Sequence, residues 1–337
     1  MTDPIRLNMP FVGIPSFCRF PICFDLDTLD ADIAILGIPY DDGASYRPGV
    51  RFAPRRIREM SLRHSARGSR PTGYYEFETQ QILLDHEIRN DRIRDCGDVD
   101  VIYTKPMNTM DNITTTVATI LNRRAFPVCF GGDHSVTFPI VKAYDVEPID
   151  IVTIDAHLDF TDEAVGVTHA GMNPFRRCAD LPNVGKIVHI GIRGIRNSKK
   201  IRDEAIANGN VIVTPADLRR RGIEACLTDA GPLQNVYLSI DIDGLDPSIA
   251  PGCSGSDPGG LLFQEAIEIM SEVTAKASVI GFDVTEVNPS LDVGDMTSGL
   301  SAMLTLRFLG MATGSPHWKN RQLKGRTSFE PLGDSRQ

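Results

Sequence analysis

The stretch 151–159, reading Ile-Val-Thr-Ile-Asp-Ala-His-Leu-Asp, constrains this chain more than any other part of it. Its Ile, Val and Thr residues predict a strand buried on both faces, and on a strand alternate residues share a face. Asp155, His157 and Asp159 are therefore expected to project together. Three such groups at the end of an apolar strand repel one another, or stay unpaired, unless a positive charge sits among them. A metal ion supplies that charge.

A second apolar run, 236–243, ends with Asp241 and Asp243, again at alternate positions and expected on one face. A third, 127–135, runs into Gly131-Gly132 and offers His134 where the chain leaves the sheet. In an open parallel sheet the carboxyl ends of the strands face one crevice, so these two imidazoles and four carboxylates can converge there. Four carboxylates balance two divalent ions, which predicts a binuclear centre with a shared hydroxide. Oxygen-rich ligation with one imidazole per ion favours Mn²⁺, with Ni²⁺ or Co²⁺ as alternatives, over tetrahedral structural Zn²⁺.

The rest of the chain supplies a scaffold for such a site. Apolar strands alternate with helical patterns, as in 31–39 followed by 53–60, 114–124 by 127–135, and 260–270 by 279–284. Alternation of this kind implies an α/β fold, a three-layer αβα sandwich with a mainly parallel central sheet. Residues 1–28 read as an N-terminal arm, 29–315 as a single catalytic domain, and 316–337 as a C-terminal tail expected to be disordered.

With 42% hydrophobic and 23% charged residues among 337, a large core is available. A net charge of −9 argues against nucleic acid and anionic membrane surfaces as partners. No basic leader with an apolar core opens the sequence and no apolar run reaches membrane-spanning length, so the reading is a cytoplasmic protein. Seven scattered cysteines without C-x-x-C spacing suit a reducing compartment. No dinucleotide fingerprint, phosphate loop or nucleophile elbow is present.

The segments 131–135 (Gly-Gly-Asp-His-Ser), 155–159 (Asp-Ala-His-Leu-Asp) and 239–247 (Ser-Ile-Asp-Ile-Asp-Gly-Leu-Asp-Pro) resemble, in order and spacing, the three signatures of the ureohydrolases, the arginase and agmatinase family. The resemblance runs from about residue 10 to 310 and includes Arg47-Pro48-Gly49 and the 283–289 loop. It implies an arginase-like fold in which His134, Asp155, Asp159 and Asp241 hold one ion, and His157, Asp155, Asp241 and Asp243 the other. It also implies that hydroxide attacks a guanidinium carbon to give urea and an amine, that Glu286 grips the guanidinium, and that His169, ten residues after Asp159, carries the proton to the leaving amine. Asp133 and Asp246 are expected to orient the ligands, and His64, His86, His189 and His317 to be structural or exposed. A homotrimer or hexamer is the usual assembly of such proteins, with a hetero-oligomer as a variant.

Two loops depart from the pattern. The segment after His169 is bulkier, and Cys253, Ser254 and Ser256 stand where agmatinases carry Pro-Gly-Thr-Gly-Thr-Pro-Glu, on the expected substrate rim. The cationic guanidino substrate therefore ranges over agmatine, guanidinobutanoate, and small or N-substituted guanidines, including biguanides such as metformin. Formimidoylglutamase is the nearest alternative enzyme, a single-zinc deacetylase-like hydrolase a more distant one. A silent partner subunit is disfavoured because it has no reason to keep six metal-seeking groups.

Overall fold

The computed structural model describes residues 9–65 and 72–333. Ten strands occur in chain order: β1 (Ile33–Gly37), β2 (Tyr74–Glu76), β3 (Gln81–Leu83), β4 (Ile93–Asp98), β5 (Phe126–Phe130), β6 (Ile149–Ile154), β7 (Val184–Ile190), β8 (Val211–Val213), β9 (Asn235–Asp241) and β10 (Ser278–Thr285). Eight of them form one sheet in the order β4-β1-β5-β10-β9-β6-β7-β8. All of its pairings are parallel. The expected short strand near residue 81 exists as β3, but it pairs antiparallel with β2 outside that sheet.

Period-two alternation divides each strand between two cores. Ile33 and Ile35 of β1, Val152 and Ile154 of β6, and Phe282 and Val284 of β10 point to one face. Ala34, Leu36, Ile151 and Ile280 point to the other. The helices α1 (Ala53–Ser61), α9 (Phe263–Lys276) and α10 (Met296–Gly314) cover the first face, while α3 (Pro106–Asn122), α4 (Thr137–Lys142) and α5 (Pro174–Ala179) cover the second. Of the remaining described helices, α2 (Asp85–Arg89), α7 (Pro215–Arg221) and α8 (Ile223–Asp229) join the first core and α6 (Lys199–Ala207) the second. In α3 the buried Met110, Ile113, Val117, Ile120 and Leu121 form one stripe at helical spacing, which is what lets a helix lie flat on a sheet.

Sequence periodicity alone did not reveal α10, which is buried around most of its circumference and so shows no polar face. Its hydroxyls bond back to the preceding turn, Ser301 to the Thr297 carbonyl and Thr305 to the Ser301 carbonyl, each at 2.8 Å.

The strand order positions the site. The chain builds β1, β4 and β5, skips two places to lay down β6, β7 and β8, then returns to fill the gap with β9 and β10. The loops that follow β5, β10, β9 and β6 consequently lie side by side, although they are far apart in sequence.

Of the expected arm, residues 9–28 are described; 9–14 are exposed and 16–23 pack against the body beside β4. Phe17 and Cys18 are fully buried, the Cys23 amide donates to the Asp95 carbonyl, and the Asp95 amide donates to the Pro21 carbonyl. The expected disordered tail is packed as far as Gly333. Trp318 is buried, Tyr144 bridges Gly325, and Asp111 accepts the Leu332 and Gly333 amides. Among the described residues no helix is long and apolar enough to cross a membrane, and all seven cysteines are free.

Candidate functional site

The sequence reading placed each ligand set on alternate positions of a strand, and the structure corrects this. Strand β6 ends at Ile154, and Asp155, His157 and Asp159 lie in the turn beyond it, Asp159 at a left-handed φ of +44°. Strand β9 ends at Asp241, and Asp243 sits in a 3-10 turn, Ile242–Gly244. A strand would have spread these groups about 7 Å apart, two residues at 3.3 Å each, whereas a turn gathers them. The turns are held by the acids themselves: Asp155 accepts the His157 amide at 2.6 Å, Asp241 the Asp243 amide at 2.9 Å, and Asp243 the Ala156 amide at 3.0 Å. Close packing of the turns forces glycine at 244, where a Cβ would stand 2.7 Å from the Asp155 nitrogen.

His134 begins a 3-10 turn after β5, capped by Asp133, which accepts the Ser135 amide at 3.0 Å and the Gly43 amide at 2.8 Å. Asp133 thus orients His134 through the backbone. The His134 Nδ1 lies 3.3 Å from Asp155, 3.0 Å from Asp159 and 3.1 Å from Asp241. The His157 Nδ1 lies 2.9 Å from Asp243 and 3.9 Å from Asp155. Ligand atoms of His134, Asp155, Asp159 and Asp241 form one compact group, and those of Asp155, His157 and Asp243 a second that shares Asp155.

Two groups whose role sequence reasoning missed hold these imidazoles, and Asp283 in turn holds one of them. Ser239 donates to Asp283 at 2.6 Å, so its oxygen accepts the His134 Nε2 proton at 3.0 Å, leaving Nδ1 free for a metal. Tyr237 and Thr137 also donate to Asp283, at 2.7 and 2.8 Å. Asp257 lies 3.2 Å from His157 Nε2 and does the same for the second ring. A buried acid in the middle of the apolar run 278–285 was the available signal for Asp283.

The electrostatics fit a centre built for cations. Burial, then the neighbouring Asp159 and Asp241, pushes Asp155 well above the usual carboxylate range, and burial with Asp243 pushes Asp241 up to about 7. Burial opposes charge on His157, but Asp243 outweighs it and raises the ring to about 10. Asp155 Oδ2 is buried without a hydrogen-bond partner among the described residues. Such an orphan next to two imidazoles and three further carboxylates suits divalent metal, and the six residues fit two ions.

A cavity of about 740 Å³ opens over this cluster. Asp159, Asp241, Asp243, His157 and Glu286 lie in its wall, Ser254 and Ser256 on its side, and Arg47 and Arg196, both exposed, border it as well. Glu286 has a left-handed φ of +62° and accepts the His134 amide at 2.9 Å, while its own amide donates to Gly132. Burial, followed by the charges of Asp241 and Asp133, raises its pKa well above the carboxylate range.

Other expected site residues fall elsewhere. His169 is not among the residues lining the cavity: its ring rests on Phe138 at 5.6 Å and Nδ1 meets the Thr168 hydroxyl at 2.8 Å, although Gly171 and Met172 do line it. Asp246 fastens the 246–260 loop through the amides of Ser248, Gly259 and Gly260 and touches no ligand group among its recorded bonds. Cys253 lies deeper than the rim, its sulfur grouped with the carboxylates of Asp241 and Asp243.

Comparison with known proteins agrees with this geometry. Residues 31–310 match the model of the arginase family. The chain is 32% identical to the mitochondrial guanidino acid hydrolase of Homo sapiens, covering 88% of this chain and 82% of that protein. It is 33% identical to the mitochondrial agmatinase of Gallus gallus, covering 90% and 87%. Among solved structures, proclavaminate amidino hydrolase from Streptomyces clavuligerus superposes with a TM-score of 0.79 at 29% identity, covering 90% of this chain and 99% of that one. With the parallel sheet, the paired His/Asp clusters and these likenesses together, the chain belongs to the arginase family of metal-dependent hydrolases that act on carbon–nitrogen bonds.

Proposed function

We propose that this enzyme hydrolyses a guanidino carboxylic acid to urea and an amino acid. The single observation that carries the reading is the polarity of the cavity: carboxylates in its wall and the guanidinium groups of Arg47 and Arg196 bordering it. A substrate with a guanidinium at one end and a carboxylate at the other matches both. Agmatine is cationic at both ends, and free guanidine or a biguanide has no anionic end to meet the arginines.

The two metal ions would be held by His134, Asp155, Asp159 and Asp241, and by Asp155, His157 and Asp243, with Asp241 expected from the family pattern to serve both. Divalent metal there lowers the pKa of bound water toward neutrality and so supplies the nucleophile that a guanidinium carbon requires. Mn²⁺ suits the oxygen-rich set, with Ni²⁺ and Co²⁺ as further candidates. Glu286 has one oxygen engaged by the His134 amide, which leaves the other to accept from the planar fork of the guanidinium. His169, two residues before the cavity-lining Gly171, is assigned the proton for the leaving amine; its ring packs on Phe138. A homo-oligomer is the proposed assembly and the cytoplasm the proposed location.

Urea release by metal-loaded protein tests the assignment. Guanidinobutanoate and shorter guanidino acids should be turned over with kcat/KM above that of agmatine and guanidine. Arg47→Ala and Arg196→Ala should each raise KM for the acid about tenfold, the lower end for a charge-assisted hydrogen bond at an exposed position, and change the guanidine reaction little. Agmatine turned over as well as the acids would refute the reading. The same arginines suit the carboxylates of formimidoylglutamate, so formamide in place of urea would identify that activity instead.

A further inference from the structure

We propose that Cys253 is a direct sulfur ligand of the ion held between Asp241 and Asp243, and that it biases the centre toward thiophilic divalent metals. This rests on the two-ion reading above. The Cys253 sulfur and one oxygen each of Asp241 and Asp243 lie within 4.8 Å of one another, and all three residues are buried. Donors bound to one ion at about 2.0–2.3 Å stand no more than about 4.5 Å apart, so a small adjustment brings the three onto a shared metal. The position is rigidly presented. Cys253 bridges Val287, its amide donates to the Pro251 carbonyl at 3.0 Å, and the adjacent Gly252 is tied to Thr297 at 2.7 Å and to the Asn288 amide at 2.7 Å.

Two further observations point to a metal. The only hydrogen bond recorded at the sulfur is one it accepts, from the Gly255 amide at 3.4 Å, so no recorded acceptor takes up its own proton. The adjoining group, which shares Asp243, includes Asp155, whose buried oxygen has no hydrogen-bond partner among the described residues. On coordination the metal replaces the thiol proton, which passes to solvent, and no oxidation is involved. A thiolate favours Ni²⁺, Co²⁺ or Zn²⁺ over Mn²⁺, which the carboxylates alone would suit. None of the other six cysteines belongs to a group of potential ligands among the described residues, so a sulfur signal from the centre is attributable to Cys253.

The experiment is reconstitution of metal-free protein with Co²⁺, read by metal analysis and near-ultraviolet absorption. Two cobalt ions per chain with a thiolate-to-cobalt charge-transfer band are expected, and Cys253→Thr and Cys253→Ser should retain both ions while losing the band. In competition the same variants should lower the Ni²⁺ to Mn²⁺ affinity ratio by about 10–100-fold, the scale at which groups adjoining a metal act. Two bound ions without the band in the native protein would overturn the sulfur ligand and leave the two-ion centre standing. Fewer than two ions would overturn the two-ion reading itself.

Discussion

Each imidazole of the centre is fixed at its far nitrogen, His134 by Ser239 and His157 by Asp257. Ser239→Ala leaves the buried His134 Nε2 without its acceptor and should weaken metal binding about 10–100-fold in a chelator competition. Unchanged affinity would mean that the edge-on contact with Phe175, 5.0 Å away, orients the ring unaided. His169 poses the opposite case, a residue with a role expected from spacing and a ring packed on Phe138. His169→Asn should keep its metal and lose about 10²–10⁴-fold in kcat, as a general acid would. An unaltered kcat would make His169 part of the wall. The candidate metal-binding residues were legible in the sequence because acids and histidines ending apolar runs have few other uses. Ser239, Arg47 and Arg196 were not, because a serine or an exposed arginine is chemically unremarkable until its neighbours are known.

At the scale of elements, the arm and the turns matter most. Phe17 is fully buried against Phe130, at a ring separation of 5.1 Å, one residue before the glycine turn that carries His134. Phe17→Ala should therefore cost about 3–5 kcal/mol in denaturant unfolding, as for other large buried aromatics. A loss below about 1 kcal/mol, typical of surface substitutions, would show the arm to be a loose appendage. The strands and amphipathic helices were readable from their periods. The α10 helix was not, since burial around most of it erases the period, and neither was the packed tail, whose contacts with Asp111 and Tyr144 are all distant in sequence.

For the whole molecule, acid stability is the measurable consequence of burying so many titratable groups. His189 is fully buried, and burial, then the charge of His134, lowers its pKa from 6.5 to about 3. The unfolded chain takes up a proton below about pH 6.5 that the folded chain refuses, so this contribution is complete above that pH and is lost as pH falls toward 3. At pH 5 the loss amounts to about 2 kcal/mol. Urea unfolding of metal-free protein at pH 7 and pH 5 should show that extra loss in the native chain relative to His189→Gln. Equal losses would mean that His189 is not held neutral.

The sequence by itself determined the chemistry: six metal-seeking side chains at the ends of apolar runs, in a chain whose alternating periods build a parallel sheet. Those are local properties, set by residue type and spacing. Only the tertiary structure decided that the loops after β5, β6, β9 and β10 are neighbours, because the chain leaves a gap in the sheet and returns to fill it. That same closure set Asp257 against His157 and Glu286 against the His134 amide, while nearer loops set the Cys253 sulfur beside Asp241 and Asp243 and the His169 ring against Phe138. Contacts between residues a hundred positions apart depend on strand order and turn geometry, and no period in the sequence encodes either.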